Sequence, residues 1–105
     1  MDRGRKLSIC PVEITLKHIG SKWKLLILRN LLSYGVQRFN ELARGINGIS
    51  QKMLTQSLRQ MEEDGLVSRK VYAEVPPKVE YSLTEKGRSL KPIIDAMHHW
   101  GESCN

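Results

Sequence analysis

The chain has 105 residues, enough for one domain, and a domain of this size buries only about two-thirds of the surface that its unfolded chain exposes. Pairing with a second copy would bury more apolar surface. Lysine and arginine number 17 against 11 acids, a net charge of +6 that favours a polyanionic partner. The longest fully aliphatic run, residues 25–28, is far too short to cross a bilayer, so we expect a cytoplasmic protein without a membrane partner.

The N-terminal third predicts an arm and two helices. Residues 1–9 are polar and basic, and their apolar residues show no helical or strand periodicity. This predicts a flexible basic arm ahead of a single domain over 10–105. A proline suited to a first helical position opens a short amphipathic helix that ends before Gly20. Ser21 is predicted to cap a second helix from 22 to about 32, which is apolar around most of its circumference and therefore central to a core.

The middle of the chain predicts a helix-turn-helix. After a brief extended segment at 36–39, Asn40 is expected to cap a short helix from 41 to about 44. A tight connection over 45–48 leads to a longer helix that begins at the predicted cap Ser50 and ends at Gly65, which suits a left-handed C-terminus.

The longer helix has two chemically different sides. One is apolar, and the other carries side chains able to hydrogen-bond base edges: Ser50, Gln51, Lys52, Thr55, Gln56 and Arg59. Its acids occur only at the C-terminal end, and between residues 14 and 59 Glu41 is the only acid among eight basic residues. The helix is thus polar to basic in its N-terminal half and acidic at its C-terminal end. This distribution of charge suits a helix that enters the major groove of double-stranded DNA by its N-terminal turns. Contacts to the DNA backbone are expected from Lys22, Lys24, Arg38, Arg44, Arg69, Lys70 and Lys78.

Beyond Gly65 the hydrophobic period changes to two residues. Segments 66–72 and 79–83 predict two strands joined by a proline-bearing loop, which together form a wing. The predicted fold class is α+β, mostly α: a winged helix-turn-helix with a two- to three-stranded wing sheet and an additional C-terminal dimerisation helix. That last helix is expected to be capped by Thr84 and bent at Pro92. The predicted homodimer interface joins it to the first helix through Val12, Leu16, Ile19, Leu90, Ile93, Ile94, Met97 and Trp100.

Three other classes of function were weighed. The sequence has no nucleophile elbow, phosphate-binding glycine loop or pair of metal ligands at helical spacing, so we predict neither an enzyme nor a cofactor. A metal-responsive repressor using His98, His99 and Cys104 is disfavoured, because adjacent histidines point about 100° apart on a helix. A sequence-neutral architectural DNA binder is disfavoured by the amide-rich helix face.

The chain resembles the HxlR family of winged-helix transcriptional regulators from Cys10 almost to its C-terminus. The matching motifs are Cys10-Pro11-Val12, Ile19-Gly20-Ser21-Lys22-Trp23, Arg38-Phe39-Asn40-Glu41-Leu42, Gly48-Ile49-Ser50-Gln51-Lys52-Met53-Leu54-Thr55-Gln56, Glu63-Asp64-Gly65-Leu66, Val75-Pro76-Pro77-Lys78-Val79-Glu80-Tyr81-Ser82-Leu83-Thr84 and Trp100-Gly101. The resemblance implies a homodimer, related to the MarR-like winged helices, on a near-palindromic operator. It also implies that the helix from Ser50 enters the major groove while the wing reaches the flanking backbone.

The two cysteines, Cys10 and Cys104, match no close-spaced zinc motif, so free thiols are expected. In several members of the family, the cysteine of this Cys-Pro-Val motif senses oxidants, quinones or aldehydes. The resemblance therefore implies that Cys10 is a sensor of a small electrophile or oxidant, with inert packing as the alternative. A bridge between Cys10 and Cys104, within or between subunits, stays open, because nothing in the sequence places their sulfurs together.

Overall fold

A computed structural model describes residues 10–104, so the predicted arm at 1–9 lies outside the described residues. Over this part of the chain the elements are mostly helical, with one antiparallel sheet. In order they are α1 (Pro11–Ile19), α2 (Lys22–Tyr34), β1 (Gln37–Arg38), α3 (Phe39–Gly45), α4 (Gln51–Glu63), β2 (Val67–Tyr72), β3 (Lys78–Leu83), α5 (Glu85–Arg88) and α6 (Lys91–Ser103).

The first two helices have the predicted order but not the predicted lengths. α1 ends before Gly20, as expected, and the Gly20 N–H donates to the Leu16 carbonyl at 2.7 Å. α2 continues two residues past its predicted end, to Tyr34, and stops where Gly35 adopts a φ of +75°. Such a φ is costly for residues with a Cβ, so the glycine sets the end of the helix.

The helix-turn-helix is confirmed, with a correction at its start. α3 begins at Phe39, so Asn40 lies inside the helix and is not its cap. The extended N-cap residue is Arg38, whose backbone N–H donates to Glu41 Oε1 at 2.8 Å. The chain therefore passes directly from β1 into α3, and the side chain of Glu41 satisfies the amide at that junction.

The ends of α4 match their predicted signals. Ser50 Oγ accepts from the backbone N–H of Met53 at 3.1 Å, and Gly65 has a φ of +76° just after the helix. One side of α4 is buried against α2 and β2 through Leu54, Ser57, Leu58 and Met61. The opposite side of α4 is exposed over the part of the chain that the structure describes.

The sheet has three strands in the order β1-β3-β2, all antiparallel. β2 and β3 form the predicted wing, with a register that runs from Val67 opposite Leu83 to Tyr72 opposite Lys78. β1 pairs with the other edge of β3 and ties the wing to the start of α3. The wing is thereby held at a fixed position beside the helix-turn-helix.

The C-terminal region departs from the prediction of one bent helix. Thr84 does act as a cap, since its Oγ1 accepts from the Gly87 N–H at 3.1 Å. However, α5 stops at Arg88, and α6 begins separately with Pro92 in its first turn. Proline lacks an N–H and has a fixed φ, both of which suit a helix start, so it begins a new helix and does not bend a continuous one.

The hydrophobic core lies between α2, α4 and the sheet. Its fully buried side chains are Ile27, Leu28, Leu42, Leu54, Leu58, Met61 and Leu66. Ile19 and Ile94, both predicted to face a second subunit, are only 6% and 7% exposed and belong to the core of the single chain. Leu90 is partly buried against the same core. Through these side chains α1 and α6 pack against the core of their own chain. The prediction that Ile19 and Ile94 face a second subunit is therefore wrong.

None of the helices in residues 10–104 is long and apolar enough to cross a membrane.

Candidate nucleic-acid interface

The outward side of α4 presents a row of polar and basic side chains. Ser50 lies exposed at the cap, and along the helix Gln51, Lys52, Gln56 and Arg59 are also exposed. Because the opposite side of α4 is buried, these residues are carried on a helix that is fixed by core packing. Five of the six residues that were predicted to read bases are thus exposed, and Thr55 differs from them in exposure.

Thr55 is half-buried, and its Oγ1 donates to the Gln51 carbonyl at 2.9 Å. A threonine hydroxyl has one proton to donate. With that proton engaged inside its own helix, Thr55 offers an outside partner only an acceptor oxygen and its methyl group.

The C-terminal end of α4 is chemically distinct from its N-terminal end. Gln60 Nε2 donates to Asp64 Oδ1 at 3.2 Å, and a cavity beside α1 is lined by Gln60, Asp64 and Lys24. Since 13 residues of α-helix span about 20 Å, Lys24 lies well away from the N-terminal turns of α4. The structure therefore places Lys24 at the opposite end of α4 from Gln51 and Lys52.

On the wing, two lysines are arranged around one aromatic ring. The Nζ atoms of Lys70 and Lys78 lie 4.9 and 4.6 Å from the ring centroid of Tyr72. The Tyr72 hydroxyl donates to Glu80 Oε1 at 2.8 Å, and Lys78 Nζ lies 3.6 Å from Glu80 Oε2. Attraction between an ammonium group and an aromatic face favours this arrangement. The cluster presents positive charge at the wing, and the sequence reading missed the part that Tyr72 plays in it.

The pKa of Glu80 lies below its ordinary value, chiefly because the carboxylate accepts the hydrogen bond from Tyr72 and secondarily because of the charge of Lys78. A lowered pKa means that this carboxylate adds stability above its ordinary pKa, and that the contribution is lost as pH falls through the lowered value.

Replacement of Tyr72 by phenylalanine is expected to raise the Glu80 pKa, as followed by NMR titration of the side-chain carboxyl carbon. Tyr34→Phe, at an exposed tyrosine on α2, should leave that midpoint in place. Equal midpoints in all three proteins would contradict the assignment.

Most of the other predicted backbone-contacting residues are open to solvent. Arg38, Arg44 and Arg69 are exposed, and Lys22 lies with its Nζ 4.6 Å from the ring centroid of Trp23. Arg38 is the N-cap residue of α3, Arg44 lies in its last turn and Arg69 lies in β2 of the wing. No contact seen among residues 10–104 excludes these side chains from reaching phosphates.

Two buried polar residues that the sequence reading missed, Asn30 and Gln37, lie where α2 approaches β1 and the end of α3. Gln37 Nε2 donates to the Asn30 carbonyl at 3.0 Å, and Asn30 Nδ2 donates to the Leu26 carbonyl at 3.1 Å. A Cβ placed on Gly45 would lie 2.7 Å from Asn30 Oδ1, so the end of α3 approaches α2 closely. One indication of these buried polar contacts was present in the sequence, namely the amide residues Asn30, within an apolar helix, and Gln37, just after it.

The candidate metal and thiol residues are separate from this face. His98 and His99 each lie 3.5 Å from a carboxylate oxygen of Glu102, with their rings 5.9 Å apart and inclined by 74°. Between residues 10 and 104, no three His, Cys, Asp or Glu side chains gather closely enough to hold an ion. Cys10, at the N-cap of α1, and Cys104, at the end of α6, are exposed free thiols.

Comparison with known proteins decides the family. The model of the HxlR-like helix-turn-helix family matches residues 18–105. The chain belongs to the HxlR family. The HTH-type transcriptional regulator YybR of Bacillus subtilis is 55% identical over 94 residues, which are 90% of this chain and 74% of YybR. An HTH-type regulator of Methanothermobacter thermautotrophicus is 50% identical over 101 residues, covering 96% of this chain and 76% of the relative.

Solved structures of HxlR-type proteins show the same fold. The redox regulator HypR in its oxidised form is 55% identical with a TM-score of 0.84, covering 90% of this chain and 96% of HypR. HypR in its reduced form is 54% identical with a TM-score of 0.85, covering 90% of this chain and 92% of that HypR chain. The predicted winged-helix fold and the HxlR resemblance are thus confirmed. The chain is a DNA-binding transcriptional regulator and not an enzyme.

Proposed function

We propose that the protein acts in the cytoplasm as a homodimer on a near-palindromic operator, with one α4 in each of two successive major grooves. Half-sites read in this way are about 34 Å apart. The observation that carries the proposal is the exposed face of Gln51, Lys52, Gln56 and Arg59 on a helix whose other side is buried. Amide and guanidinium groups make bidentate hydrogen bonds to adenine and guanine, whose patterns in the major groove identify each base pair.

Affinity for any duplex comes, in this proposal, from the basic residues around that face. The wing contributes Lys70 and Lys78, held around Tyr72, together with Arg69. Lys22, Arg38 and Arg44 act beside the helix-turn-helix, and Lys24 is omitted because of its position beside Asp64. Contacts to phosphates fix the position of the protein without reading sequence.

The proposed dimer uses the apolar surface that α1 and α6 leave open. Ile93, Met97 and Trp100 on α6 are 38%, 48% and 72% exposed, and with Pro92 and Ala96 they line a shallow apolar groove. On α1, Val12 and Leu16 are also exposed. Soluble proteins rarely leave large contiguous apolar patches open to water, and a symmetric pair of such patches is self-complementary.

Gln56→Ala is expected to reduce discrimination at a few base pairs by about 1–3 kcal/mol, since it removes one bidentate contact. The matched control is Gln60→Ala, which removes the same side chain from the acidic end of the same helix. Fluorescence anisotropy would compare a duplex selected from random DNA with single base-pair variants of it. Equal losses in the two variants, or none in Gln56→Ala, would reject α4 as the reading helix.

Lys78→Ala, by contrast, should weaken binding to all duplexes alike and lower the slope of log affinity against log salt by about one unit. Lys24→Ala makes the same charge change away from the proposed interface and should leave the slope unchanged. A slope that falls equally in both variants would mean that only the net charge matters, and not the position of the wing.

We further propose that Cys10 makes the regulator responsive to a small electrophile or oxidant. The similar protein HypR is described as a redox regulator and is known in an oxidised and a reduced form. Cys10 is an exposed thiol at the start of α1, the helix that bears Val12 and Leu16 of the proposed dimer face. A modification at that thiol would be transmitted to the spacing of the two α4 helices through this interface.

Treatment with N-ethylmaleimide is expected to change operator affinity in the parent protein and in Cys104→Ser, but not in Cys10→Ser. Mass spectrometry would verify that each remaining thiol has reacted. Unchanged operator affinity after full modification of Cys10 would remove the sensor role, and a response that follows Cys104 would reassign it.

A further inference from the structure

One face of the wing sheet carries a row of charged side chains that crosses all three strands. Side chains alternate between the two faces of a sheet, and Arg69 and Tyr81 face α4, with which they line a cavity. Their chain neighbours Lys70 and Glu80 therefore lie on the opposite face, where the register also places Arg38 beside Glu80. The carboxylate thus lies in the middle of the row, with a cation on the strand at either side.

Two further residues of this face, Tyr72 and Lys78, lie opposite each other in the register of β2 and β3. Glu80 Oε1 accepts the hydrogen bond of the Tyr72 hydroxyl at 2.8 Å, and Glu80 Oε2 lies 3.6 Å from Lys78 Nζ. The Nζ atoms of Lys70 and Lys78 lie 4.9 and 4.6 Å from the ring centroid of Tyr72. One carboxylate oxygen therefore holds the ring that both lysines contact, while the other faces Lys78. The outer-face cluster is the set Arg38, Lys70, Tyr72, Lys78 and Glu80.

Glu80 could affect DNA binding in two opposite ways. Its negative charge repels phosphates, so by charge alone it weakens the binding of any duplex. However, the three cations of the outer-face cluster also repel one another, and a lysine side chain that becomes fixed on a phosphate loses rotamer freedom. A carboxylate among the cations offsets their repulsion and orders them before DNA arrives, which lowers the cost of binding.

The surroundings of Glu80 favour the second effect. The side chains of Glu80 and Lys78 are only 25% and 27% exposed, and charges partly withdrawn from water interact more strongly than fully exposed ones. The pKa of Glu80 is lowered first by the hydrogen bond from Tyr72 and then by the charges of Lys78 and Arg38. The carboxylate is therefore charged at neutral pH and interacts with cations on both β1 and β3.

We propose that Glu80 is a positioning residue for DNA binding. It holds Lys78 directly and Lys70 through the ring of Tyr72, so that both ammonium groups meet the phosphate backbone in an arrangement already formed in the free protein. Arg38 lies beside Glu80 and is the N-cap residue of α3, so the same carboxylate connects the wing cations to the helix-turn-helix. The role rests on the proposed contact between wing and DNA, but not on which residues read the bases.

The test compares Glu80→Gln with Glu74→Gln, since each variant removes one negative charge from the wing. Glu74 is exposed in the loop between β2 and β3, and its replacement should raise affinity for any duplex because it only adds net positive charge. Glu80→Gln is expected to lower affinity by about tenfold, because the two lysines must then be ordered when DNA binds. Fluorescence anisotropy on the selected duplex and on a scrambled duplex should show similar losses, since phosphate contacts do not read sequence.

A double-mutant cycle tests whether Glu80 acts through Lys78. In the Lys78→Ala background, Glu80→Gln should lower affinity by less than about threefold, because the direct partner of the carboxylate is already absent. The full tenfold loss in that background would overturn the direct pairing on which the proposal rests.

NMR of the DNA-free protein supplies a readout that does not depend on DNA. The Hε protons of Lys70 and Lys78 should show ring-current shifts from Tyr72 that decrease in Glu80→Gln and persist in Glu74→Gln. Lysine signals that do not move in Glu80→Gln would overturn the positioning role. If circular dichroism shows that Glu80→Gln does not fold, Tyr72→Phe keeps every charge and should lower affinity by about threefold through the lost hydrogen bond.

Affinity that rises equally in Glu80→Gln and Glu74→Gln would overturn the proposal, because Glu80 would then act by its charge alone. Unchanged affinity in both variants would also overturn it, because the wing would then not meet DNA. If Glu80→Gln binds more tightly while Gln56→Ala still loses discrimination, the positioning role fails and α4 remains the reading helix. If Glu80→Gln weakens binding and Gln56→Ala has no effect, the base-reading role fails alone.

Discussion

Trp100→Glu is expected to give a folded monomer whose affinity for the selected duplex is at least about 100-fold lower. In a dimer, binding of one subunit holds the other at a high effective concentration beside its half-site, and a monomer lacks this advantage. Trp100 is 72% exposed in the single chain, a larger exposed fraction than that of Ile93 or Met97 on the same helix. A glutamate there would have to be buried without a partner in the proposed interface, which is strongly unfavourable. Sedimentation equilibrium gives the association state, and circular dichroism verifies the fold.

The matched control for this variant is Tyr34→Glu. Tyr34 is 71% exposed at the end of α2, so the control makes the same charge change at an equally exposed aromatic residue outside the proposed interface. It should sediment as the parent does. A dimeric Trp100→Glu protein, or a parent that is itself monomeric at the concentrations used for binding, would contradict the proposed interface.

Gly87→Ala is expected to lower the free energy of unfolding by about 3 kcal/mol, the upper part of the usual range for overpacking. Gly87 is buried in α5, and a Cβ there would collide with the backbone carbonyl of Leu66 and lie 3.1 Å from Leu83 Cδ2. The Leu66 carbonyl cannot easily move, since it accepts from the Thr84 N–H at 3.0 Å. Urea denaturation at a fixed protein concentration would measure the loss.

Gly101→Ala is the counterpart in α6, where an added Cβ would meet nothing within 4 Å. Alanine is favoured over glycine inside a helix by about 1 kcal/mol, so this variant should be as stable as the parent or more so. A stable Gly87→Ala protein would mean that α5 and the strand ends are packed more loosely than the structure shows.

The elements that the sequence predicted correctly are those whose ends are set by local chemistry. Ser50 and Gly65 mark the limits of α4 through a side-chain hydrogen bond and a positive φ, and both signals depend only on residues within one turn. The start of α3 was misplaced because Asn40 is a preferred N-cap residue by type, whereas in the structure the side chain of Glu41 accepts from the Arg38 N–H and the helix begins two residues earlier than predicted. Pro92 was misread because a proline that bends a helix and one that starts a helix look alike in sequence.

The exposed side of α4 could be predicted because its periodic apolar residues indicate which side is buried. The side opposite to them must then face outward. The predicted dimer stripe was only partly open, since periodicity indicates that Ile19 and Ile94 are buried but not whether their partner is the same chain or a second one. The cavity between α4 and the wing sheet, lined in part by Arg59, Arg69 and Tyr81, could not be predicted from the sequence, because it depends on the register that places Arg69 opposite Tyr81 and on the packing of that pair against α4. The lysine arrangement around Tyr72 likewise follows from the pairing of β2 with β3.

The measurement that tests the central claim most directly compares affinity and stoichiometry on a selected duplex and on a scrambled duplex of the same composition, at one salt concentration. If a pair of α4 helices reads base edges, the selected duplex is bound by two chains and at least about 1,000-fold more tightly, the lower end of the usual range for specific regulators. Equal affinity for both duplexes, or one chain bound per duplex, would contradict the claim.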